Sequence, residues 1–425
     1  MRILLTGASG FIGRHLQAAL LAEGHHLVCT TRAPLKQADA RLAYLHADFT
    51  RDTDKSIWLA RLRGIDAVIN AVGIFRESGR QNFAALHTQT PCALFAACAE
   101  SDSVKLVIQL SALGADEGAE TAYHLSKKTA DDYLAALPVR AFIVQPSLVY
   151  GKDGASARIF KTLASLPFSV RFGNAPQLVQ PVHIDDVAAA ITSLVRQPLL
   201  VAASGATVRR VALAGPEPLP FIDYLGTLRS AMGMGKLRVL RLPRFLARIA
   251  AGLRLGLLDP DALRMLERGN MADPALITRL LAHPPRAPSS FIDDPVAERM
   301  QAKLGWLLPV LRYAIAFVWI ATAIVSAVFY PAELSYQLLA RTGVPAALQP
   351  LMLYGAAAFD LLLGLGIMLL ARRRWLWLMQ LALIGFYTVV IAWKLPEFLL
   401  HPYGPLIKNL PMLAAIWLLY ELEEK

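Results

Sequence analysis

Three residues in the N-terminal half of the chain have the types and the spacing that acid–base chemistry on a carbonyl group requires. Tyr123 and Lys127 are four residues apart, so they share one face of a helix. An ammonium beside a phenol favours the phenolate, which lowers the phenol pKa and makes tyrosine a usable proton donor or acceptor near neutral pH. Ser111 directly follows an apolar run, residues 107–110, where its hydroxyl could hold a substrate carbonyl by a hydrogen bond.

The first fourteen residues provide the element that would position a cofactor beside these side chains. Residues 2–5 are typical of a buried strand, with Ile3, Leu4 and Leu5 apolar, and Gly7, Gly10 and Gly13 follow at intervals of three. The first glycine permits a tight turn, the second lets a pyrophosphate approach the backbone, and the third lets the next helix pack closely on the strand. That helix N-terminus offers free N–H groups and a partial positive charge to phosphates. The spacing predicts a dinucleotide site, and in this context the tyrosine–lysine pair is interpreted as catalytic rather than as a surface pair.

Short β-rich runs alternate with helical stretches over about the first 200 residues, which is the pattern of a parallel sheet covered by helices. We predict strands over residues 2–5, 26–31, 67–70, 105–110 and 140–145, and helices that include residues 83–100 and 127–136. Ligands of open parallel sheets bind at the carboxyl ends of the strands. The predicted fold class is therefore α/β, a Rossmann-type doubly wound parallel sheet over residues 1–304, with a small substrate lobe drawn mainly from residues 151–301.

The end of the second predicted strand favours NADP(H) over NAD(H). An NAD site usually has an acidic residue there for the ribose hydroxyls, whereas this chain has Arg32, which can meet a 2′-phosphate. NAD(H) stays open as the alternative, because arginine is also common on exposed loops. Two further stretches are candidates for cofactor contacts or are ordinary turns: Asp48 and Phe49 at the adenine edge, and Asn70, Ala71, Val72 and Gly73 beneath the cofactor.

Beyond residue 305 the chain becomes much more apolar, which accounts for an overall apolar content of 55% in 425 residues. Apolar stretches over about residues 307–330, 348–371, 375–393 and 406–420 predict an all-α four-helix transmembrane bundle over residues 305–425. The first three have the roughly 20 residues that a span needs. Arg372, Arg373 and Arg374 fill the turn between the second and third spans and place that turn in the cytosol. The nucleotide domain and both termini are then cytosolic, at a bacterial-type inner membrane.

The net charge of +11 indicates a membrane surface as a partner rather than nucleic acid, for which the sequence has no motif. Residues 237–255 carry Arg241, Arg244 and Arg248 on one helical face and apolar residues on another. This segment either lies on anionic lipid or is a core helix with a solvated arginine face.

We expect no metal centre. The three cysteines, Cys29, Cys92 and Cys98, have no metal-ligand spacing and fit a reducing compartment. His183, followed by Asp185 and Asp186, is typical of a helix start with acidic residues in the first turn.

Two ionisable residues fall inside the predicted bundle. Asp360 is near the middle of the second span and Lys408 is early in the fourth. A charge in lipid is costly unless it is paired, protonated or solvated, so such residues mark a functional site by default. The alternative is a structural link between helices, for example with Tyr354 or Tyr387.

Together the motifs of the N-terminal part resemble those of an extended or atypical short-chain dehydrogenase/reductase. They are the glycine loop of residues 6–13, residues 70–73, Ser111, the tyrosine–lysine pair, Pro146-Ser-Leu-Val-Tyr-Gly151 and Pro181-Val-His-Ile-Asp-Asp-Val187. Residues 111–115, 242–245 and 259–270 further resemble the branch around the NADPH-binding accessory subunit of respiratory complex I. The resemblance covers about residues 1–304 and implies which residues hold the cofactor. The implied phosphate contacts are Gly7, Ser9, Gly10, Phe11, Ile12 and Gly13. The residues implied to flank the nicotinamide are Asn70 to Gly73 and Pro146, Ser147, Leu148 and Val149. By the same resemblance, Tyr123 and Lys127 serve both binding and proton transfer.

The C-terminal part resembles the DoxX-like family of small four-helix membrane proteins. The resemblance covers about residues 307–424 and is carried by Asp360-Leu-Leu-Leu-Gly364 and Lys408-Asn-Leu-Pro-Met412. Some relatives are linked to quinone-dependent oxidation of small molecules, which implies a quinone or a lipid near the bundle.

We therefore expect a membrane-tethered NAD(P)(H)-binding oxidoreductase that acts on an apolar carbonyl or quinone-like substrate. In it Tyr123 moves the proton, Lys127 tunes the tyrosine and anchors the ribose, and Ser111 orients the carbonyl. Members of the complex I branch often bind the nucleotide without demonstrated turnover, so a non-catalytic redox sensor or an assembly factor for a membrane complex is the alternative. An NAD-dependent epimerase or dehydratase also fits the fold, though not the four spans.

Overall fold

The computed structural model describes residues 1–32, 39–172, 177–196, 208–242, 260–402 and 404–423. The chain separates into two compact units, Met1–Ala302 and Lys303–Lys425.

A seven-stranded parallel sheet is the centre of the first unit. In chain order the strands of this unit are β1 Arg2–Thr6, β2 His26–Thr31, β3 Leu42–His46, β4 Ala67–Asn70, β5 Leu106–Leu110, β6 Ala141–Pro146, β7 Val149–Tyr150, β8 Ser169–Phe172, β9 Leu178–Val179, β10 Val182–His183, β11 Val208–Leu213, β12 Leu219–Pro220 and β13 Val239–Leu242. The order across the main sheet is β3-β2-β1-β4-β5-β6-β11, and each neighbouring pair is parallel. The order reverses between β1 and β4, which opens a crevice at the carboxyl ends of these strands.

The helices of the first unit cover both faces of this sheet and also build the adjoining lobe. They are α1 Phe11–Ala22, α2 Lys55–Arg61, α3 Thr90–Glu100, α4 Ala122–Ala135, α5 Ala155–Ser165, α6 Ile184–Arg196, α7 Phe221–Ala231, α8 Pro260–Arg268 and α9 Ala275–Leu281, and a π-helical turn, Ala84–Gln89, leads into α3. Alternate residues of β1 supply two cores: Ile3 and Leu5 lie in the one that includes α1 and α6, and Leu4 lies in the one with Trp58 and Phe95. Burial on both faces explains why these strands are apolar almost throughout.

The α/β fold class and the Rossmann-type parallel sheet are confirmed. All five predicted strands are present, and their ends differ by at most one residue from the observed ones. The helix predicted over residues 127–136 begins earlier, at Ala122, because Thr121 caps it by accepting a hydrogen bond from the His124 N–H. Tyr123 therefore lies in the first turn of α4.

Part of the segment assigned to the substrate lobe belongs to the main sheet layer instead. β11 pairs with β6 as the seventh strand, and α6 packs against α1. Val211 and Leu213 are fully buried. Removing these apolar side chains from water favours pairing of β11 at the edge of the sheet. The lobe itself is built around β7 to β10, α5 and α7.

The basic amphipathic helix predicted over residues 237–255 is not helical at its start. Val239–Leu242 is the strand β13, which pairs in parallel with Ser169–Phe172. Strand pairing at this point overrides the helical periodicity of the sequence. Arg244, Arg248 and the rest of the predicted helix lie outside the described residues.

The second unit is all-α. Its helices are α10 Pro295–Ile324, which begins in the first unit, α11 Ala332–Thr342, α12 Gln349–Leu369, α13 Arg374–Lys394 and α14 Asn409–Leu422. Among the described residues, three helical segments are long and apolar enough to cross a membrane: Pro295–Phe329, Ala346–Leu369 and Arg374–Lys394. The fourth predicted span forms α14, which has 14 residues and is therefore shorter than the roughly 20 that a perpendicular span needs.

The helices of the second unit approach closely and share a buried polar contact. A Cβ on Gly364 would lie 2.6 Å from Ile320 Cγ1, so only glycine lets α12 pack against α10 here. Trp319 Nε1 donates to Gln380 Oε1 over 2.8 Å in the interior.

Asp360 is 8% exposed, and its Oδ1 has no hydrogen-bond partner among the residues that the structure describes. Lys408 is exposed and directly precedes α14 rather than lying inside the span, since an ammonium is better solvated outside an apolar helix.

Candidate active site

The glycine loop between β1 and α1 is closed so tightly that side chains are excluded from it. Gly7 has φ +71°, and a Cβ there would lie 2.6 Å from the carbonyl carbon of Ala71. A Cβ on Gly13 would lie 2.0 Å from Gly7 O. The Gly10 N–H donates to Gly7 O over 2.9 Å. Ser9 and Gly10 are both exposed, and no side chain caps the N-terminus of α1. The first N–H groups of α1 are thus left for a ligand, as a phosphate-binding helix N-terminus requires.

The two apolar residues that open α1 have structural neighbours. The Phe11 ring lies against the backbone of the loop after β7, because a Cβ on Gly151 would lie 2.7 Å from Phe11 Cζ. Its ring also meets His15 edge-on, with centroids 5.6 Å apart. Ile12 packs against the core beneath α1. The Phe11 ring therefore packs the start of α1 against Gly151, where the chain enters the lobe.

Buried polar side chains connect the carboxyl ends of three neighbouring strands below the crevice. Thr6 Oγ1 donates to Asn70 Oδ1 over 2.6 Å, and Asn70 Nδ2 donates to Gln109 Oε1 over 2.7 Å. The N–H of Val72 also donates to Asn70 Oδ1, over 3.4 Å. These bonds fix the turn of residues 70–73, which was predicted to run beneath the cofactor. A Cβ on Gly73 would lie 3.2 Å from Lys127 Nζ, so glycine leaves room for the ammonium.

The Lys127 ammonium is buried at this same edge. It is 4% exposed and donates to Leu110 O over 3.0 Å and to Val72 O over 3.3 Å. Burial lowers the pKa of Lys127, while the carboxylate of Asp131 one turn further along α4 opposes that shift. Two of the three ammonium protons are bound by backbone carbonyls, and the third is left for a ligand.

Tyr123 is a neutral phenol. We predicted that the lysine would lower its pKa, but burial raises the pKa of Tyr123 to about 12, and the charge of Asp131 adds to this. The prediction was wrong because burial and the Asp131 charge both raise this pKa, while the Lys127 ammonium donates its hydrogen bonds to backbone carbonyls. At neutral pH the side chain is a proton donor.

Aromatic side chains surround the Tyr123 ring. The ring centroids of Phe75, His124, His87 and Phe83 lie 5.1, 5.3, 5.6 and 6.1 Å from that of Tyr123. Phe75 is 57% exposed, so it forms the outer edge of this cluster, which we call the aromatic rim. An apolar rim of this kind favours the approach of apolar substrate groups.

His87 was not predicted, and it supports the helix that carries Tyr123. Its Nε2 accepts from the Ile74 N–H over 3.0 Å, so its Nδ1 carries the proton and donates to Ser126 Oγ over 2.9 Å. Ser126 Oγ donates in turn to the Tyr123 carbonyl over 2.8 Å. Burial, with the charge of Lys127, lowers the pKa of His87 to about 2, so this neutral tautomer persists across the physiological range. No sequence spacing indicated this histidine.

Ser111 is buried at the end of β5 and has a partner that we did not predict. Its Oγ donates to Oδ2 of Asp131, which is fully buried. Asp131 follows Lys127 at the same interval that separates Tyr123 from Lys127, and this repeated spacing is a signal that could have identified it. The prediction that Ser111 orients a carbonyl stays a prediction.

The predicted adenine edge divides into surface and core residues. Arg32 is exposed just after β2. Asp48 turns back on its own loop, accepting from the N–H and the hydroxyl of Thr50 over 3.0 and 2.8 Å. Phe49 is 7% exposed, and its ring meets the Trp58 ring edge-on with centroids 5.3 Å apart. Phe49 therefore belongs to the core, because exposing its apolar ring to water would be unfavourable.

The predicted nicotinamide-flanking stretch at residues 146–149 leads from the sheet into the lobe. Pro146 ends β6, and Ser147 Oγ donates to Gln180 O over 2.5 Å. Leu148 packs in the lobe core, and Val149 begins β7, which pairs with β10. These contacts fix the stretch beside the carboxyl end of β6.

His183, Asp185 and Asp186 lie at the start of α6, as predicted, with both aspartates in its first turn. Asp186 accepts from the Arg286 N–H over 2.8 Å, and the Arg286 guanidinium contacts Asp185 over 3.3 Å. In the part of the chain that the structure describes, no group of three or more His, Cys, Asp or Glu side chains could hold a metal ion.

Both parts of the chain are similar to known protein families. Residues 3–204 match the NAD dependent epimerase/dehydratase family, and residues 316–417 match the DoxX-like family. The chain is 26% identical over 246 residues to a ceramide reductase of Caulobacter vibrioides, a match that spans 57% of this chain and 73% of that protein. It is 35% identical to a 3 beta-hydroxysteroid dehydrogenase/Delta 5-->4-isomerase of Mycobacterium tuberculosis over 79 residues, 18% of this chain and 20% of that protein.

Solved structures show the same fold. A UDP-glucuronic acid 4-epimerase from Bacillus cereus in complex with NAD is 20% identical, with a TM-score of 0.50, over 72% of this chain and 98% of that one. A nucleoside-diphosphate-sugar epimerase from Staphylococcus aureus is 15% identical, with a TM-score of 0.54, over 69% of this chain and all of that one. The narrower resemblance to the complex I accessory subunit stays a prediction. The chain thus joins an N-terminal part that matches the NAD dependent epimerase/dehydratase family to a C-terminal part that matches the DoxX-like family, and it is similar to a ceramide reductase.

Proposed function

We propose that this protein is a membrane-tethered, NADPH-dependent reductase of a ketone on an apolar, long-chain lipid. The observation that carries the proposal is the neutral Tyr123 phenol, one helical turn before the buried Lys127 ammonium on α4 and within an aromatic rim at the carboxyl edge of the sheet. The ceramide reductase homologue and the apolar helices of the second unit support a lipid substrate. The glycine loop, which excludes every Cβ at Gly7 and Gly13, fits the diphosphate of a dinucleotide.

The residues have separate tasks in this reaction. A bound nicotinamide nucleotide supplies the hydride that the carbonyl carbon receives. Tyr123 donates the proton to the carbonyl oxygen, which turns the ketone into an alcohol. The Lys127 ammonium, with one proton left by its two backbone acceptors, stabilises the phenolate that results and binds a ribose hydroxyl.

The proposal is tested on the full chain, purified in detergent and assayed by NADPH oxidation with a long-chain keto lipid, a quinone analogue and a UDP-sugar. Reduction of the keto lipid with formation of the alcohol is expected. Transfer to the quinone alone would overturn the ketone assignment. A tightly bound nucleotide that no acceptor oxidises would favour the redox sensor, and turnover of the UDP-sugar would favour an epimerase.

The aromatic rim predicts dependence on chain length. In Phe75→Ala, KM for a long-chain ketone should rise on the order of 10-fold or more. The exposed Phe75 ring gains roughly 1.5–3 kcal/mol when a substrate chain covers it, and the variant loses this contact. A short, water-soluble ketone should be reduced as in the parent protein. Phe168→Ala is the matched control, since Phe168 is similarly exposed, at 51%, and outside the rim. Equal losses on long and short ketones would contradict a rim that binds the chain.

Arg32 predicts the choice of nucleotide. In Arg32→Ala, Kd for NADPH should rise about 10- to 100-fold and Kd for NADH should stay the same, since a charge-assisted contact with a 2′-phosphate is worth about 1.5–3 kcal/mol. Arg51→Ala is the control, because Arg51 is an exposed arginine beside Asp48. Calorimetric titration of both nucleotides decides: an unchanged ratio of the two affinities removes Arg32 from the site.

We further propose that the first unit and both termini are cytosolic at a bacterial-type inner membrane. The arginine-rich turn before α13 follows the positive-inside pattern, and α14, as a short fourth crossing, would return the C-terminus to the same side. The topology is tested with single cysteines introduced before α10 and into this turn. They are labelled with a thiol reagent that does not cross the inner membrane, in intact and in lysed cells. Reaction of either cysteine in intact cells would overturn it.

A further inference from the structure

A buried carboxyl group lies directly behind Ser111. Asp131 has no exposed surface, and its Oδ2 accepts the Ser111 proton. Its Oδ1 has no hydrogen-bond partner among the described residues. A buried carboxylate oxygen without a partner is unfavourable, and a proton on the group removes that cost. The site therefore holds a carboxyl group for which both protonation states are accessible.

The protonation state of Asp131 decides what Ser111 can offer to a substrate. A hydroxyl has one proton to donate and two lone pairs to accept. When Asp131 is a carboxylate, it takes that proton, and Ser111 presents only lone pairs, which suit a substrate hydroxyl. When Asp131 is a carboxylic acid, it donates to Ser111 Oγ, and the Ser111 proton is free for a substrate carbonyl.

We propose that Asp131 is a positioning residue that sets the direction of the Ser111 hydroxyl and thereby the balance between carbonyl reduction and alcohol oxidation. This inference rests on the proposed function, because it concerns the same site. Asp131 acts through Ser111 and touches neither substrate nor nucleotide. The repeated four-residue spacing on α4 places it one turn beyond Lys127.

The charges around Asp131 place its titration within the working range. Burial raises its pKa to about 6, against the opposing effects of the Ser111 hydrogen bond and of the Lys127 and Arg210 cations; Asp132 adds to the rise. Arg210, on β11, has its Nη1 4.0 Å from Asp131 Oδ2. A raised pKa means that the acid form, the one that frees Ser111 for a carbonyl, predominates below about pH 6.

The experiment compares initial rates of ketone reduction and of alcohol oxidation from pH 5 to pH 9, using the full chain in detergent. In the parent protein kcat/KM for reduction should fall as the pH rises through about 6, and kcat/KM for oxidation should rise. Asp131→Asn should lose this step in both directions, because an amide does not titrate. Asp132→Asn is the matched control, since the half-buried Asp132 side chain pairs with Lys128 and Arg210 and makes no contact with Ser111. It should keep the step at a somewhat lower pH, because the Asp132 charge adds to the rise in the pKa of Asp131.

Ser111→Ala provides a second variant should Asp131→Asn fail to fold, and it should also lose the step. NADPH binding, measured by fluorescence, should be the same in all variants. A step near pH 6 that survives in Ser111→Ala or in Asp131→Asn overturns the proposal and leaves the reductase assignment intact. A parent protein that reduces no ketone at any pH overturns the proposed function, and this inference with it.

Discussion

The Tyr123→Phe variant is expected to bind NADPH normally and to reduce ketones with a kcat lower by a factor of about 10² to 10⁴, the usual contribution of a positioned general acid. Phenylalanine keeps the ring in the aromatic rim, so the contacts with Phe75 and His87 remain. Only the proton for the developing alkoxide is lost. Stopped-flow measurement of a single turnover, with NADPH pre-bound, separates this chemical step from product release.

Tyr133→Phe is the matched control. Tyr133 lies on the same helix, three turns further on, and is 40% exposed. The Tyr133→Phe variant should reduce ketones as the parent protein does. If Tyr123→Phe retained full turnover, a proton donor other than this phenol would have to act, and the assignment of Tyr123 would fail.

The Gly13→Ala variant is expected to lose NADPH binding and to unfold at a lower temperature. The added Cβ would lie 2.0 Å from Gly7 O and 2.9 Å from Ala8 Cα, both backbone atoms that cannot move aside separately. The loop would have to open, at a cost of at least about 1–3 kcal/mol, typical of an overpacked site. Thermal unfolding with and without NADPH measures both losses in one experiment.

Gly226→Ala controls for the change of residue type. Gly226 is also helical, in α7, and a Cβ there meets no atom within 4 Å. Replacing a helical glycine by alanine should stabilise the protein by roughly 0.5–1 kcal/mol. Gly13→Ala and Gly226→Ala should therefore change the unfolding temperature in opposite directions. Equal shifts would mean that the glycine loop is not closed as described.

Local signals in the chain were sufficient for the frame of the sheet. Residues 3–5 and 67–69 are apolar runs buried on both faces, and the glycine spacing reflects contacts within one turn of the chain. Such features depend on neighbours in sequence, so they can be predicted without knowing the fold. The position of Tyr123 and Lys127 on the helix that follows β5 can be predicted from the same alternation.

Features that depend on distant partners were not accessible in this way. Val208–Leu213 carries two arginines and reads as a surface segment, yet it pairs with β6 in the main sheet. The phenol pKa of Tyr123 depends on burial, and burial is set by rings that reach it from another segment. The Asp131 contact with Ser111 spans 20 residues and joins a helix to a strand.

The place of β11 in the sheet has a consequence for biosynthesis. β11 pairs with β6, which ends about 60 residues earlier in the chain, and the lobe strands β7 to β10 lie between them. Closing so long a loop is slow relative to the pairing of successive strands. The nascent nucleotide domain should therefore stay protease-sensitive at its β6 edge until the ribosome has released β11, and it should complete its fold while the hydrophobic helices are still being translated.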